Sequence, residues 1–372
     1  MKIEYINSKE TELLNRKLGE YENDNNIKGI LLLACDANNY TADNLDPILK
    51  SVNKKIFGGI FPSIIFNNKK HETGFIIAGF EDSLALKHIT NISSQEVSFD
   101  DKMIEIVDEY HDSKTMFVFV DGLTERINSF IESIFTIFGL EYNFIGGGAG
   151  SLTLKQKPCI ITNSGLKQDC AVIAGIKLNS GIGVKHGWNS ISGPYKVTSA
   201  DKTVIKELDF KPAFEVYKEV VENHSGKSIN SDNFYEIAKA YPFGINKIDT
   251  EKIVRDPLFT GNNNSLICVG EVETGYFVDI LTGDKNTLIE AAGKAVKSAM
   301  RDKDGGSENF IFFIDCISRV LFLEDDFSNE LEEVLSNNNK LPVFGALTLG
   351  EIANSKRDFL EFHNKTVVIG CF

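Results

Sequence analysis

The chain lacks any apolar run of about 18 residues, which excludes a membrane-spanning helix. It has no Cys-x-x-Cys pair and no His-x-x-x-His pair, so neither a zinc knuckle nor a thioredoxin motif is encoded. The six cysteines are scattered through mostly apolar runs and read as small buried hydrophobes. Basic charge is short: 39 Lys and Arg face 53 Asp and Glu, a net charge of −14 that argues against nucleic acid and anionic membrane surfaces. The opening segment, MKIEYINSKETELLNRK, has no hydrophobic signal core, and the expectation is a soluble cytoplasmic protein without membrane insertion. The Gly146-Gly147-Gly148-Ala149-Gly150 run is followed neither by the Lys-Ser/Thr of a phosphate loop nor by a helix, so no nucleotide fingerprint and no cofactor are expected.

What is present is ample: 42% hydrophobic residues are enough for packed cores, and 372 residues exceed one average domain, so two are expected. One layout recurs three times: an apolar strand ending at Asp, a helical stretch, a Gly-rich strand and a further strand. The first copy runs from Gly29 through Asp36, Gly58-Gly59 and residues 74–80. The second starts at Met116 and passes Asp121, residues 124–138 and the Gly146 run. In its helix Ile127, Phe130, Ile131, Ile134 and Phe138 fall on one face. The third starts at Phe310, passes Asp315 and residues 327–335, and ends in the strands at Val343 and Thr366.

Asp36, Asp121 and Asp315 either cap a turn through backbone N–H groups or face a ligand crevice at a strand end. The glycines either kink a strand or let a ligand approach closely.

Other stretches are read locally. Residues 9–21 form a helix, and 84–88 and 101–111 read as short helices between the first two copies. A strand–strand–helix order occurs in residues 181–223 and again in 266–300, which suggests a higher, two-fold duplication. The polar stretch 223–233 reads as the boundary between the halves. The expected fold is α/β, with mixed, largely antiparallel sheets covered by helices, built from internal repeats in two related halves.

The ordered set of motifs resembles a known family. It comprises the Gly146 run; Gly187-Trp188 through Val197-Thr198 to Leu208-Asp209, Pro212-Ala213 and Tyr217; Arg255-Asp256-Pro257-Leu258; Glu273-Thr274-Gly275; Asp315-Cys316 with Arg319; Gly345 with Gly350-Glu351; and His363-Asn364 with Thr366. This order is similar to the FIST (F-box and intracellular signal transduction) N and C domains. The resemblance implies a sensory module for small ligands such as amino acids. It divides the chain into an arm (1–28), an N-like domain (29–225) and a C-like domain (226–372). No segment of the sequence is left over for an output domain, so the expected partners are a small-molecule ligand and a signalling output protein.

The candidate ligand residues are Arg319, Glu351, Cys316, Arg255, Trp188, Asn364, Gly147 and Gly148. Arg319 and Arg255 offer forks for a carboxylate, and Glu351 a partner for an ammonium. Arg319 can equally pair with Asp315 or Glu351, and Trp188 can equally be core. No catalytic residue is assigned. The alternatives are a Cys-dependent hydrolase or transferase in which Cys316 and His363 form a nucleophile–base pair, and a ligand-independent scaffold.

Overall fold

Three glycines set the frame. A Cβ at Gly58, Gly146 or Gly345 would lie 1.9, 1.8 or 1.7 Å from the carbonyl oxygen of Leu32, Val118 or Phe313. Each of those residues is the glycine's partner on a neighbouring parallel strand. Only glycine allows that approach, and it occurs once in each of three modules. The computed structural model describes residues 1–247, 251–303, 305, 309–355 and 359–372.

The first module comprises β1 (Lys2–Ile6), α1 (Thr11–Asn23), β2 (Gly29–Cys35), α2 (Ala42–Ser51), β3 (Lys55–Phe61), the hairpin β4 (Ser63–Phe66) and β5 (Lys69–His71), and β6 (Phe75–Phe80). The second repeats it: β7 (Ala85–Thr90), α3 (Phe99–Ile106), β8 (Thr115–Asp121), α4 (Ile127–Phe138), β9 (Asn143–Ala149), β10 (Ile160–Thr162), β11 (Gly165–Lys167) and β12 (Cys170–Ile176). The third opens with β13 (Gly181–Lys185) and is interrupted by an inserted unit. That unit contains β14 (Asn189–Asp201), β15 (Val204–Leu208), β16 (Lys211–Pro212), α5 (Ala213–Ser225), α6 (Phe234–Ala238), β17 (Phe243–Ile245), β18 (Ile253–Arg255), β19 (Pro257–Thr260), β20 (Leu266–Cys268) and β21 (Phe277–Thr282). The third module then resumes with α7 (Lys285–Asp302), β22 (Ile311–Cys316), α8 (Ile317–Leu323), α9 (Phe327–Ser336), β23 (Val343–Thr348), β24 (Glu351–Ala353), β25 (Glu361–His363) and β26 (Val367–Cys371).

The sheets run β1-β6-β2-β3-β10-β11, β7-β12-β8-β9-β24-β25 and β13-β26-β22-β23-β4-β5. The last two strands of each sheet are the hairpin of another module: second to first, third to second, first to third. The exchange closes a ring. β2–β3, β8–β9 and β22–β23 pair in parallel, and the other ladders of the ring are antiparallel. This is the mixed, largely antiparallel, helix-covered α/β fold built from repeats that the sequence anticipates. Aromatic rings from all three modules meet at its centre, with Phe117 5.9 Å from Phe57, 5.0 Å from Phe312 and 5.5 Å from Phe372.

The helices cover the outside. α4 buries Ile127, Phe130, Ile131, Ile134 and Phe138, the face its spacing predicts. α7 starts in a capping box, where Asp284 accepts from Thr287 N at 2.8 Å, and buries an alanine-rich face.

Three local expectations change. Residues 84–88 are not helical: β7 pairs along the edge of β12, because tertiary pairing outweighs local propensity. The first 28 residues are not an appended arm, since β1 pairs with β6 and α1 buries Leu14, Leu18 and Tyr21. The 225/226 division falls inside the inserted unit, whose single core joins Val216 and Tyr217 of α5 to Phe234 and Phe243.

Candidate functional site

The chain leaving β8 and the chain leaving β22 both border a cleft of about 810 Å³. Its walls come from three places: the loop after β8 with the first turn of α4, the start of α8 with the β23–β24 turn, and the inserted unit opposite. Carboxyl ends of strands are where open α/β sheets place ligands. At the matching end in the first module, Asp36 accepts from Ser151 Oγ at 2.6 Å and pairs with Lys157.

Leu123, Ile127, Leu258 and Leu321 give the cleft apolar walls, and Leu152 and Leu154 stand at its edge. Polar groups line it too. Cys316 Sγ lies 3.1 Å from Ser318 Oγ. Asn364 Oδ1 accepts from Arg255 Nη1 at 3.3 Å. Asp256 is buried, its Oδ2 3.1 Å from Lys365 Nζ, and its Oδ1 has no hydrogen-bond partner. Burial pushes the Asp256 carboxyl above its ordinary range, with Lys365 acting against the shift.

The first turn of α4 has neither a side-chain cap nor an acidic residue, and Ile127, Asn128 and Ser129 border the cleft. Its first backbone N–H groups therefore have no partner within the helix. Two polar links bridge the second module to the inserted unit: Asn128 Nδ2 to Glu271 Oε2 at 3.2 Å, and Lys202 to Glu125 at 3.4 Å.

Of the residues singled out from sequence, Cys316 and Asn364 line this cleft and the others do not. Arg319 is fully buried. Nε donates to Asp315 at 2.9 Å, Nη2 to Glu330 at 2.5 Å and to Leu288 O at 3.2 Å, and Nη1 to His186 O at 2.6 Å. The expectation that its fork holds a ligand carboxylate is therefore corrected: the fork ties β22, α7, α9 and the end of β13 together. Burial opposes the Arg319 charge, but Glu330 and Asp315 outweigh it.

Glu351 is also fully buried, accepting from Thr348 Oγ1 at 3.1 Å and Thr366 N at 3.2 Å, rather than facing a ligand ammonium. Burial and the neighbouring Asp315 push its carboxyl well up. Asp315 is raised likewise, by burial and by Glu330.

Arg255 lies behind the cleft floor. Nε donates to Glu271 O at 2.9 Å, and Nη1 to the carbonyls of Val254 and Phe362 at 3.0 Å each. Trp188 is core: its Nε1 donates to Lys365 O at 3.2 Å, and its ring lies 5.2 Å from Phe322. Gly147 and Gly148 serve a strand crossing. Gly148 N donates to Gly350 O at 2.9 Å, and a Cβ at Gly147 would come within 2.7 Å of that oxygen.

The thiol alternative needs a thiolate beside a base, and the site runs the other way. Burial, with Glu351 nearby, pushes the Cys316 thiol up to about 12. Burial, then Arg255, pushes His363 down to about 3, and its Nδ1 has no partner. Among the described residues no hydrogen bond joins it to Cys316.

Sequence reasoning missed Asp256 and the first turn of α4. Alternation along an extended chain was the available signal for Asp256, because neighbours project to opposite sides and Arg255 turns away from the cleft.

The architecture defines a class first: a three-module ring whose inserted unit closes a ligand-sized cleft. The FIST N domain family matches residues 30–211 and the FIST C domain family residues 213–354. The chain belongs to the FIST family, whose domains are associated with sensory roles in signal transduction. It is also similar to an uncharacterized protein of Methanocaldococcus jannaschii, 23% identical over 271 residues, which are 64% of this chain and 50% of that one. The chain thus spans about half the length of that curated relative. Among the described residues no helix is long and apolar enough to cross a membrane, and no cluster of His, Cys, Asp and Glu could hold a metal.

Proposed function

We propose that the chain is a cytoplasmic sensor that binds a small metabolite, with amino acids as the first candidates, in the cleft and passes the signal to a partner protein. The observation that carries this is the cleft of about 810 Å³ shared by the second module, the third module and the inserted unit, with the unpartnered carboxylate oxygen of Asp256 beside it. An amino-acid head group matches the polar ends on offer. Its ammonium suits Asp256, and its carboxylate suits the uncapped first turn of α4, where N–H groups and the helix dipole favour negative charge. The leucines suit an apolar side chain. A ligand held there touches both the ring and the inserted unit, so its binding energy bears on how the two sit together.

Thermal denaturation of the purified chain across a panel of amino acids and other metabolites at millimolar concentration tests this. A compound that binds the folded state raises the midpoint. No rise with any member of the panel contradicts the reading.

A further inference from the structure

The occupant that best fits the cleft is longer than a free amino acid. At about 810 Å³ the space is near the top of the range, roughly 300–1,000 Å³, in which pockets hold drug-sized ligands. Leu152, Leu154, Leu321 and Tyr235 are all exposed at its border and give the cleft an apolar rim. Exposed apolar residues gathered at one cleft, unlike ones scattered singly, mark a binding surface.

The walls are not uniformly apolar. Gln95, Ser129, Thr203 and Ser318 are interleaved with the leucines. A plain hydrocarbon chain would cover Gln95, Ser129 and Thr203 without supplying them a hydrogen-bond partner, which disfavours it. A peptide carries N–H and C=O groups at each residue and apolar side chains between them, which answers both parts of the lining.

We propose, on the sensor reading above, that the cleft takes a short apolar peptide with a free amino terminus. The ammonium is recognised by Asp256, the first carbonyls by the N–H groups opening α4, and the following side chains by Leu154 and Leu321. Arg255 and Arg319 already donate within the fold, so neither is placed to select a terminal carboxylate.

Titration calorimetry of the full chain with leucine, trileucine and N-acetyl-trileucine tests the proposal. Trileucine should bind at least about tenfold tighter than leucine, and acetylation should cost about tenfold or more. Asp256→Asn should remove the difference between free and acetylated peptide. Because Asp256 also pairs with Lys365, a rim variant accompanies it. Leu321→Asp should weaken trileucine by about tenfold while leaving the ligand-free unfolding midpoint unchanged.

Equal affinity for leucine and trileucine, indifference to acetylation, or no binding of any of the three overturns the peptide assignment. Those outcomes leave the sensor reading to the metabolite panel, in which some other compound can still raise the midpoint.

Discussion

Arg319 stands between the carboxylates of Asp315 and Glu330, and none of the three has exposed surface. Asp315 Oδ2 and Glu330 Oε2 have no hydrogen-bond partner. Removing the guanidinium leaves Asp315 and Glu330 facing each other, so Arg319→Met should destabilise the fold by about 3–5 kcal/mol in urea titration. Replacing Arg319, Asp315 and Glu330 together by apolar residues should recover most of that loss.

His363 and His186 make a second residue-scale case. Their folded values are depressed to about 3 and about 4, each chiefly by burial, from the ordinary imidazole value of 6.5. The unfolded state takes up these protons first, so their contribution is complete above about 6.5 and is lost as pH falls toward 3–4. The slope is about 1.4 kcal/mol per pH unit for each histidine. Asp315 and Glu351 have raised folded values, so their contribution is complete at low pH and is lost as pH rises above the ordinary carboxylate range. His363→Gln should flatten the acid limb of a stability–pH curve and leave the alkaline side unchanged. Cys316, pushed up to about 12, should react with iodoacetamide at pH 8 far more slowly than a free thiol until the chain unfolds.

At the scale of elements, each parallel pair depends on its glycine. Gly345→Ala would set a Cβ 1.7 Å from Phe313 O, with backbone on both sides and no flexible atom to yield. It should cost about 3 kcal/mol or more, above the usual range for overpacking, whereas alanine at half-buried Gly139, where a Cβ meets nothing, costs only backbone strain.

The strand–Asp–helix–Gly-strand order was legible because hydrophobic period and glycine punctuation are local signals, and the face of α4 followed from its spacing. The aspartates were a less exact guide. Aligned on Gly58, Gly146 and Gly345, Asp121 shares its position with Cys35 and Cys316, while Asp36 falls one residue later and Asp315 one earlier. β4–β5, β10–β11 and β24–β25 are short hairpins whose sequences show strands but not which sheet receives them. The Arg319–Asp315 pair was visible at four-residue spacing. Glu330 comes from a separate helix, and no local pattern links it to Arg319.

The hairpin exchange makes the ring one cooperative unit. Each sheet is completed by another module, so separating the chain between β6 and β7 should leave neither fragment able to fold alone, with the pair refolding when mixed. Circular dichroism of each fragment and of the mixture reads this directly. The inserted unit has its own core and joins the ring at β13–β14 and β21–α7. Its outer strands should therefore exchange amide hydrogens earlier than β2, β8 and β22.

A ligand held in the cleft between ring and insert would contact both. Hydrogen exchange of the full chain, with and without the panel compound that most raises the unfolding midpoint, tests that most directly. Protection should concentrate in residues 122–129, 256–271 and 316–321, on both sides of the cleft. Protection confined to other surfaces, with these three segments unchanged, would contradict it.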